Sequence, residues 1–600
     1  NLPFYSDDLL QVPWAKVAPL LDTWGLVNPY GHYRPVQSTL WWLTFALTGD
    51  LRPELLHALN LLGHAWCGVL VGMLSGRFMN RPRLAPAFVA ALFVAFPFAF
   101  DAVLWPCALG YPLSVALTLG AILLYLSARD KASLRHHGVA MVLAALAGFA
   151  HEAGVVAGAL VVMAELAVAR GRFSRWPLAR VVASLVPLVA IIRIVPSHGL
   201  TSHHTMEDLA VVQALAHPVA PLAMMARQWG VDPIVAVLWT GAVALLVLAC
   251  GARRIGQLKL FGFGLGWALA WSSIPFLTQQ FDWLRDPPRV LYPSAAGIAM
   301  MWGVGLVGLL PKRGIWLSWV GYPLLLVAIA PSAVFLVGRM DVYQRAGNLL
   351  WEMVETASKG GTTLFINVPG RITPAERFYP LGHEGVIPLP PPTNADLLVE
   401  VHAGMKGVAV ERTAGGILPR LRYGVELAGQ PVRTADLRGV DRIAIATYRQ
   451  NDISIERLGE VHPPQSARPA MARFGDRLSL LSAACHRLDS DSVVLRATWQ
   501  VLAPVEGEAT VFAHLLGPNG QVLAQADGPP LRGLYPFAEW LPGEVVEEVR
   551  VFEGVGPGAA TVAFGVWDPS AGQRWVALGV NGERMRDDAF WCEIQVERGR

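Results

Sequence analysis

The sequence predicts a polytopic α-helical membrane protein of about ten spans, followed by an extracytoplasmic soluble region that ends in an antiparallel β-sandwich. Three observations predict it: a split in composition, an alternation of basic loops between apolar runs, and a series of short alternating runs near the C-terminus. Of 600 residues 54% are hydrophobic and 16% charged, and the mean hydropathy is +0.42, which disfavours a water-soluble enzyme throughout. Residues 55–337 carry 28 charged side chains in 283 positions, and residues 338–600 carry 57 in 263. The first block reads as membrane and the second as an ordinary soluble region. The net charge of +3 gives none of the basic excess that nucleic acid requires.

Apolar runs fall at 55–76, 84–100, 108–127, 138–150, 153–169, 181–195, 233–250, 260–277, 290–310 and 315–337. One set of loops holds fifteen positive charges: Arg77, Arg81 and Arg83; Arg129, Lys131 and Arg135; Arg170, Arg172, Arg175 and Arg180; Arg253, Arg254 and Lys259; Lys312 and Arg313. The alternate set holds Lys16, Arg34, Arg52, Arg227, Arg285 and Arg289. The richer set is cytoplasmic by the positive-inside rule. The N-terminal segment and everything after 337 are then outside. The chain opens at Asn1 without a charged or apolar leader, so one further span is expected ahead of it.

The 138–169 segment has Arg-rich loops on both sides and must be a hairpin, its tip Ala150-His151-Glu152-Ala153. An ionisable pair at membrane depth is a functional candidate by default, since burying it in lipid is costly. Residues 1–54 form an outer loop, in which Pro35–Thr48, with Trp41 and Trp42, reads as an interfacial helix. Loop 196–232 carries His198, His203, His204 and His217 at spacings that fit no standard metal site. Asp341–Ser358 reads as an amphipathic helix and Thr362–Val368 as a strand. From about residue 470, five runs alternate with period two between turns such as Pro518-Asn519-Gly520: Leu478–Ala483, Ser492–Gln500, Ala509–Leu516, Val545–Phe552 and Ala560–Trp567. The domains are therefore 1–337, membrane; 338–465, an extracytoplasmic α/β connecting region; and 466–600, the β-sandwich. Five cysteines form no CxxC pair, and Cys485 with Cys592 is a candidate disulfide.

Three clusters have the means to carry chemistry. Phe4-Tyr5-Ser6-Asp7-Asp8 places adjacent carboxylates just outside the membrane, where each raises the other's proton affinity, as a general base needs. His32-Tyr33-Arg34-Pro35 places a guanidinium at the surface, able to clamp a phosphate with two prongs. Asp286-Pro287-Pro288-Arg289-Val290-Leu291-Tyr292-Pro293-Ser294 puts another arginine and a tyrosine at the outer mouth of a span.

Taken in order, the acid pair, Tyr33-Arg34-Pro35-Val36, the Gly49…Pro53…His57…Asn60…His64 pattern, His151-Glu152 and Arg289…Tyr292-Pro293-Ser294 resemble the polytopic glycosyltransferases of the GT-C superfold. The most similar branch is the protein O-mannosyltransferase-like group, including the membrane part of the transmembrane tetratricopeptide O-mannosyltransferases. Two positions depart from that branch: His151 stands where a lysine is expected, and Pro288 where a glutamate is expected. The C-terminal region is similar to a jelly-roll-like module. The resemblance implies a hexosyl- or pentosyltransferase of the bacterial plasma membrane. It would move a sugar, with inversion, from a polyprenyl-phosphate donor to a hydroxyl of an extracytoplasmic protein or glycan. It implies Asp7 or Asp8 as catalytic base, Arg34, Arg289 and Tyr292 at the donor phosphate, and His151, Glu152 and His32 as substrate-positioning groups. Members differ in needing a divalent cation, and no feature here demands one. The competing readings are a lipid or glycan flippase and a non-catalytic scaffold that displays the sandwich.

Overall fold

The computed structural model describes residues 2–25, 27–28, 31–79, 84–131, 133–168, 189, 233–278, 288–310, 316–374, 385–390, 393–415, 423–449, 452–488, 491–556 and 558–596. The histidines of loop 196–232 and the 181–195 run, apart from residue 189, lie outside them. The chain divides into two compact units, Asn1–Gly347 with Ile372–Val386, and Asn348–Arg371 with Ile387–Arg600. The first is helical and the second β-rich.

In the helical unit three helices among the described residues are long and apolar enough to cross a membrane: Pro53–Phe78, Pro106–Lys131 and Arg289–Leu309. About ten spans are not supported, and the reason is local. The 84–100 run is interrupted: helix Leu84–Val94 stops, a short helix Ala99–Leu104 follows, and a 3-10 turn Pro106–Leu109 leads into helix Gly110–Lys131. The hairpin arms are helices Leu134–Ala150 and Ala157–Val168, of 17 and 12 residues. The first, which ends at the His151 cap, falls below the roughly 20 residues a perpendicular crossing needs, and the second runs to Val168, where the described residues end. The 233–250 and 260–277 runs form helices Pro233–Arg254 and Leu258–Thr278, the 315–337 run lies in helix Trp316–Ser358 apart from residue 315, and the 181–195 run lies outside the described residues apart from residue 189.

Helix Ala295–Leu309 is the centre of this unit, buried from Ala295 through Gly308. Glycine makes that possible. A Cβ on Gly297 would lie 2.3 Å from the Gly264 carbonyl oxygen, and one on Gly264 would lie 2.6 Å from that of Gly297. Gly308 and Gly305 meet Gly251 and Leu248 as closely. The backbones of helices Pro233–Arg254, Leu258–Thr278 and Ala295–Leu309 therefore touch, the small-residue contact by which helices associate without a hydrophobic driving force.

The β-rich unit starts from strand Thr363–Ile366, which runs parallel to Ala409–Thr413 on one side and Arg442–Arg449 on the other. Arg442–Arg449 turns back into Asp452–His462. That strand pairs with Val545–Glu553, then follow Ser492–Val501 and Leu478–Arg487, all antiparallel. A parallel pairing of Leu478–Arg487 with Phe590–Val596 leads on to Thr561–Asp568, Thr510–Leu516 and Val522–Gln525. The segments 338–465 and 466–600 thus share one hydrogen-bonded sheet, and the contact division falls at Gly347/Asn348 rather than at 337/338. The five alternating runs are all strands, each within one to four residues of the expected limits. Their inward residues meet around Trp499, fully buried, with Phe474, Phe537 and Phe564 edge-on at ring-centroid distances of 5.3, 6.4 and 6.0 Å. This T-shaped geometry is the favoured one for aromatic pairs. Cys485 and Cys592 are both free thiols in hydrogen-bonding contact.

Candidate functional site

The site is built around the break at 105–110. Asn60, on helix Pro53–Phe78, donates from its side-chain amide to the carbonyls of Ala102 (3.2 Å) and Trp105 (2.6 Å), satisfying acceptors that a helix interrupted there leaves open. The Cys107 amide donates to Asp8 Oδ1 at 2.9 Å. Gln37 bridges the same turn, accepting from the Gly110 amide at 2.9 Å and donating to the Cys107 carbonyl at 3.3 Å. Gly110 has no room for a Cβ, which would meet the Ala150 carbonyl oxygen at 2.6 Å. The 3-10 turn thereby gathers the acid loop, the Pro35–Thr48 helix and the hairpin tip into one place.

Two ion pairs flank it. Arg34 immediately precedes helix Pro35–Thr48, and its Nε lies 3.1 Å from both oxygens of Glu152. His32 and His151 approach the same carboxylate with Nδ1 at 3.6 and 3.5 Å. The His151 ring lies on Tyr111, centroids 3.9 Å apart, and the Arg34 guanidinium faces that tyrosine at 5.9 Å. Desolvation and then the Arg34 charge push His32 down to about 4, so it is neutral at physiological pH even though 41% of its side chain is accessible. The second pair is Arg289 Nη1 to Asp101 Oδ2 at 3.0 Å, with Tyr343 donating to Asp101 Oδ1 at 3.0 Å. The Arg289 guanidinium also sits 3.9 Å over the Trp105 ring. Its charge acts on Tyr5, His32, Tyr111 and His151, and Asp7 acts on it in turn, so both pairs and the acid loop form one electrostatic unit.

Geometry separates the two acids. Ser6 adopts φ +54°, an unusual value for a residue with a side chain, and starts helix Asp8–Val17 abruptly. Asp8 is completely buried, with the Tyr5 amide also turned towards it at 3.5 Å. Burial pushes its carboxyl up to about 8 against the opposing Cys107 hydrogen bonds. Asp7 stays partly exposed beside it and makes no side-chain cap bond to the helix.

The structure brings Asp7, Asp8, His32, Arg34, His151, Glu152 and Arg289 together. It does not bring Tyr292 to them: that hydroxyl is fully buried and bonded to His64 Nδ1 at 2.9 Å, while His64 Nε2 reaches the Val94 carbonyl at 3.1 Å. His64 and Asn60, two members of the Gly49–His64 pattern, thus hold helices and turns in place. Asp101, Trp105, Tyr111 and Tyr343 escaped the sequence reading. Asp101 had a signal: it is the one acid between two apolar runs, 84–100 and 108–127. Among the described residues, no three histidine, cysteine or acidic side chains come together as a metal site would require.

Beside this unit lies a cavity of about 540 Å³, walled by apolar Leu61, Leu104 and Met340 and reaching Tyr343, the partner of Asp101.

Comparison with known proteins leaves this geometry to stand alone: no family model matches the chain, and no curated protein or solved structure matches it significantly.

Proposed function

We propose that the chain is a membrane glycosyltransferase of the GT-C type that moves a sugar from a polyprenyl-phosphate donor to an acceptor hydroxyl outside the bacterial plasma membrane. The observation that carries this is the convergence of the acid loop with two arginine–carboxylate pairs beside an apolar cavity, at the broken end of a span. Asp7 takes the acceptor proton, because Asp8 is protonated at neutral pH and a base must be ionised to work. The deprotonated oxygen attacks the anomeric carbon as the bond to the phosphate oxygen breaks on the opposite side, which inverts the centre. The charge gained by the leaving polyprenyl phosphate falls to Arg289 and Arg34, the kind of fixed cationic stabilisation that is strongest in a site shielded from water. Arg34 uses only Nε on Glu152, and Arg289 uses Nη1 and its backbone amide on Asp101, so each fork keeps donors to offer. Glu152, His151 and His32 orient the arginine, and the 540 Å³ cavity accommodates an isoprenoid segment. Tyr292 acts through the scaffold. The β-rich unit, read as a jelly-roll-like sandwich, lies outside the membrane.

The test is incubation of purified protein with a panel of labelled polyprenyl-phosphate sugars. Release of polyprenyl phosphate that disappears in Asp7→Asn supports the proposal, and no release from any donor with any acceptor fraction contradicts it.

A further inference from the structure

The β-rich unit holds a second, open cavity of about 880 Å³. One wall is a hairpin in which Trp567, at the end of strand Thr561–Asp568, stands opposite Arg574. Its turn is closed by Asp568, whose Oδ1 accepts from the amides of Ser570 (2.9 Å) and Ala571 (3.1 Å). Trp567 is 36% exposed and lines the cavity, so part of its ring is open to a ligand there. Trp575 also lines the cavity, and its indole bonds Asp568. Gly475, at φ +55°, borders that ring, with room for an added Cβ in ordinary contact at 3.5 Å.

The polar groups are held firmly. Arg574 lies 4.1 Å over the Phe512 ring and donates to the Asp587 carbonyl at 2.9 Å. Arg584 grips Asp588 with two prongs, at 2.8 and 2.6 Å. Arg477 donates to the Pro504 carbonyl at 2.5 Å. Asp476 and Glu506, by contrast, have no side-chain partner among the described residues and present their full hydrogen-bonding capacity to the cavity.

From this arrangement we infer that the cavity binds a neutral saccharide. Tryptophan rings cover the C–H faces of a pyranose, and rigid rings lose little entropy on binding. Carboxylates and guanidinium forks side by side match vicinal hydroxyls, each of which both donates and accepts. The other ligand classes fit less well. Five lining carboxylates outnumber three guanidinium groups, which repels a phosphate or polyanion. Among the described residues no three ligating side chains converge on a point where a cation would be held. The site belongs to the β-rich unit and does not depend on the transfer chemistry.

The experiment uses the full chain in lipid nanodiscs, free of glycoside detergents, with neutral gluco-, manno-, galacto- and N-acetylglucosamine hexasaccharides as probes. Saturation-transfer NMR and titration calorimetry read the binding. At least one probe binds with a dissociation constant of about 1 mM or tighter. Trp567→Ala weakens it on the order of tenfold, as truncation of an aromatic anchor does, and Asp476→Asn weakens it as well. Chelation leaves it unchanged, and Asp7→Asn binds as the wild type does, which separates this site from the membrane one. Asp476→Asn leaves thermal unfolding unchanged, since that side chain is exposed, and Trp567→Ala is compared with the wild type at matched folded concentration. Absence of binding to every probe, binding indifferent to Trp567→Ala, or preference for sulfated or uronate analogues each overturns the inference.

Discussion

At the scale of single residues the account turns on two adjacent carboxylates in different environments. Asp8 binds its proton up to about pH 8 in the native protein, whereas an unfolded chain releases it near pH 4. Between these values the native state holds the extra proton, so this group's contribution to stability is fully present below about pH 4, falls as pH rises and levels off above about pH 8. Asp8→Asn, isosteric and always neutral, flattens that slope while retaining activity; melting temperatures of both proteins across pH 5–9 test it, and parallel curves refute it. Asp7→Asn instead costs about 10²–10⁴-fold in turnover without changing the melting temperature, as expected for a partly exposed general base. At Arg289 the test is geometric. Lysine keeps the charge but loses the fork, so Arg289→Lys lowers turnover, and Arg289→Ala lowers it further, on the order of 2–4 kcal/mol of transition-state stabilisation. An Arg289→Ala protein with normal turnover per folded molecule would leave Arg289 as a lipid anchor only. The acids and arginines were legible in the sequence because charged side chains are conspicuous in an apolar stretch. Asp101 and Tyr343 were not, since their contacts span 188 residues to Arg289 and 242 residues to each other, separations at which no periodicity informs.

At the scale of elements, breaks decide more than runs. The hairpin tip was visible from the Arg-rich flanks of 138–169, but not how it is built. His151 leaves helical geometry at φ −155°, ψ 141°, and its Nδ1 accepts the Ala153 amide at 3.2 Å, capping the 3-10 turn Glu152–Val156. Gly154 completes the tip: an added Cβ would stand 2.2 Å from the Ala147 carbonyl oxygen and 2.3 Å from Ser114 Oγ. Gly154→Ala therefore displaces Glu152 from Arg34, destabilising the fold by roughly 1–3 kcal/mol and reducing turnover; thermal unfolding and activity measured together check both, and an unaffected protein would show that the tip relaxes freely. Apolar runs overcounted spans because hydropathy averages across positions such as Phe98 and Trp105, where the chain leaves the helix while staying buried. The alternating strands were read accurately because a period of two with glycine turns such as Gly520, at φ +77°, is a local signal. The parallel pairing of Thr363–Ile366 with strands 409–413 and 442–449 is non-local, and the sequence held no sign of that order.

At the scale of the whole molecule, composition already separates the two units: sparse charge in the helical unit, where the Arg34–Glu152 and Arg289–Asp101 pairs lie at the candidate site and the pairs Lys16–Asp50, Arg77–Asp130 and Asp341–Arg345 are more exposed, and ordinary surface charge in the β-rich unit. The proposed sidedness rests on the positive-inside reading of the fifteen basic residues in one loop set, and it requires the β-rich unit to be digested by protease added to intact spheroplasts; digestion only after lysis would reverse the topology. The central claim is chemical, that the acid loop and the arginine pairs form one transferase site facing a lipid-linked donor. The measurement closest to it is release of labelled polyprenyl phosphate by purified wild type, Asp7→Asn and Arg289→Lys at matched folded concentration. The account predicts release by the wild type, a partial loss in Arg289→Lys and a near-complete loss in Asp7→Asn. Equal release by all three, or release by none, would contradict it.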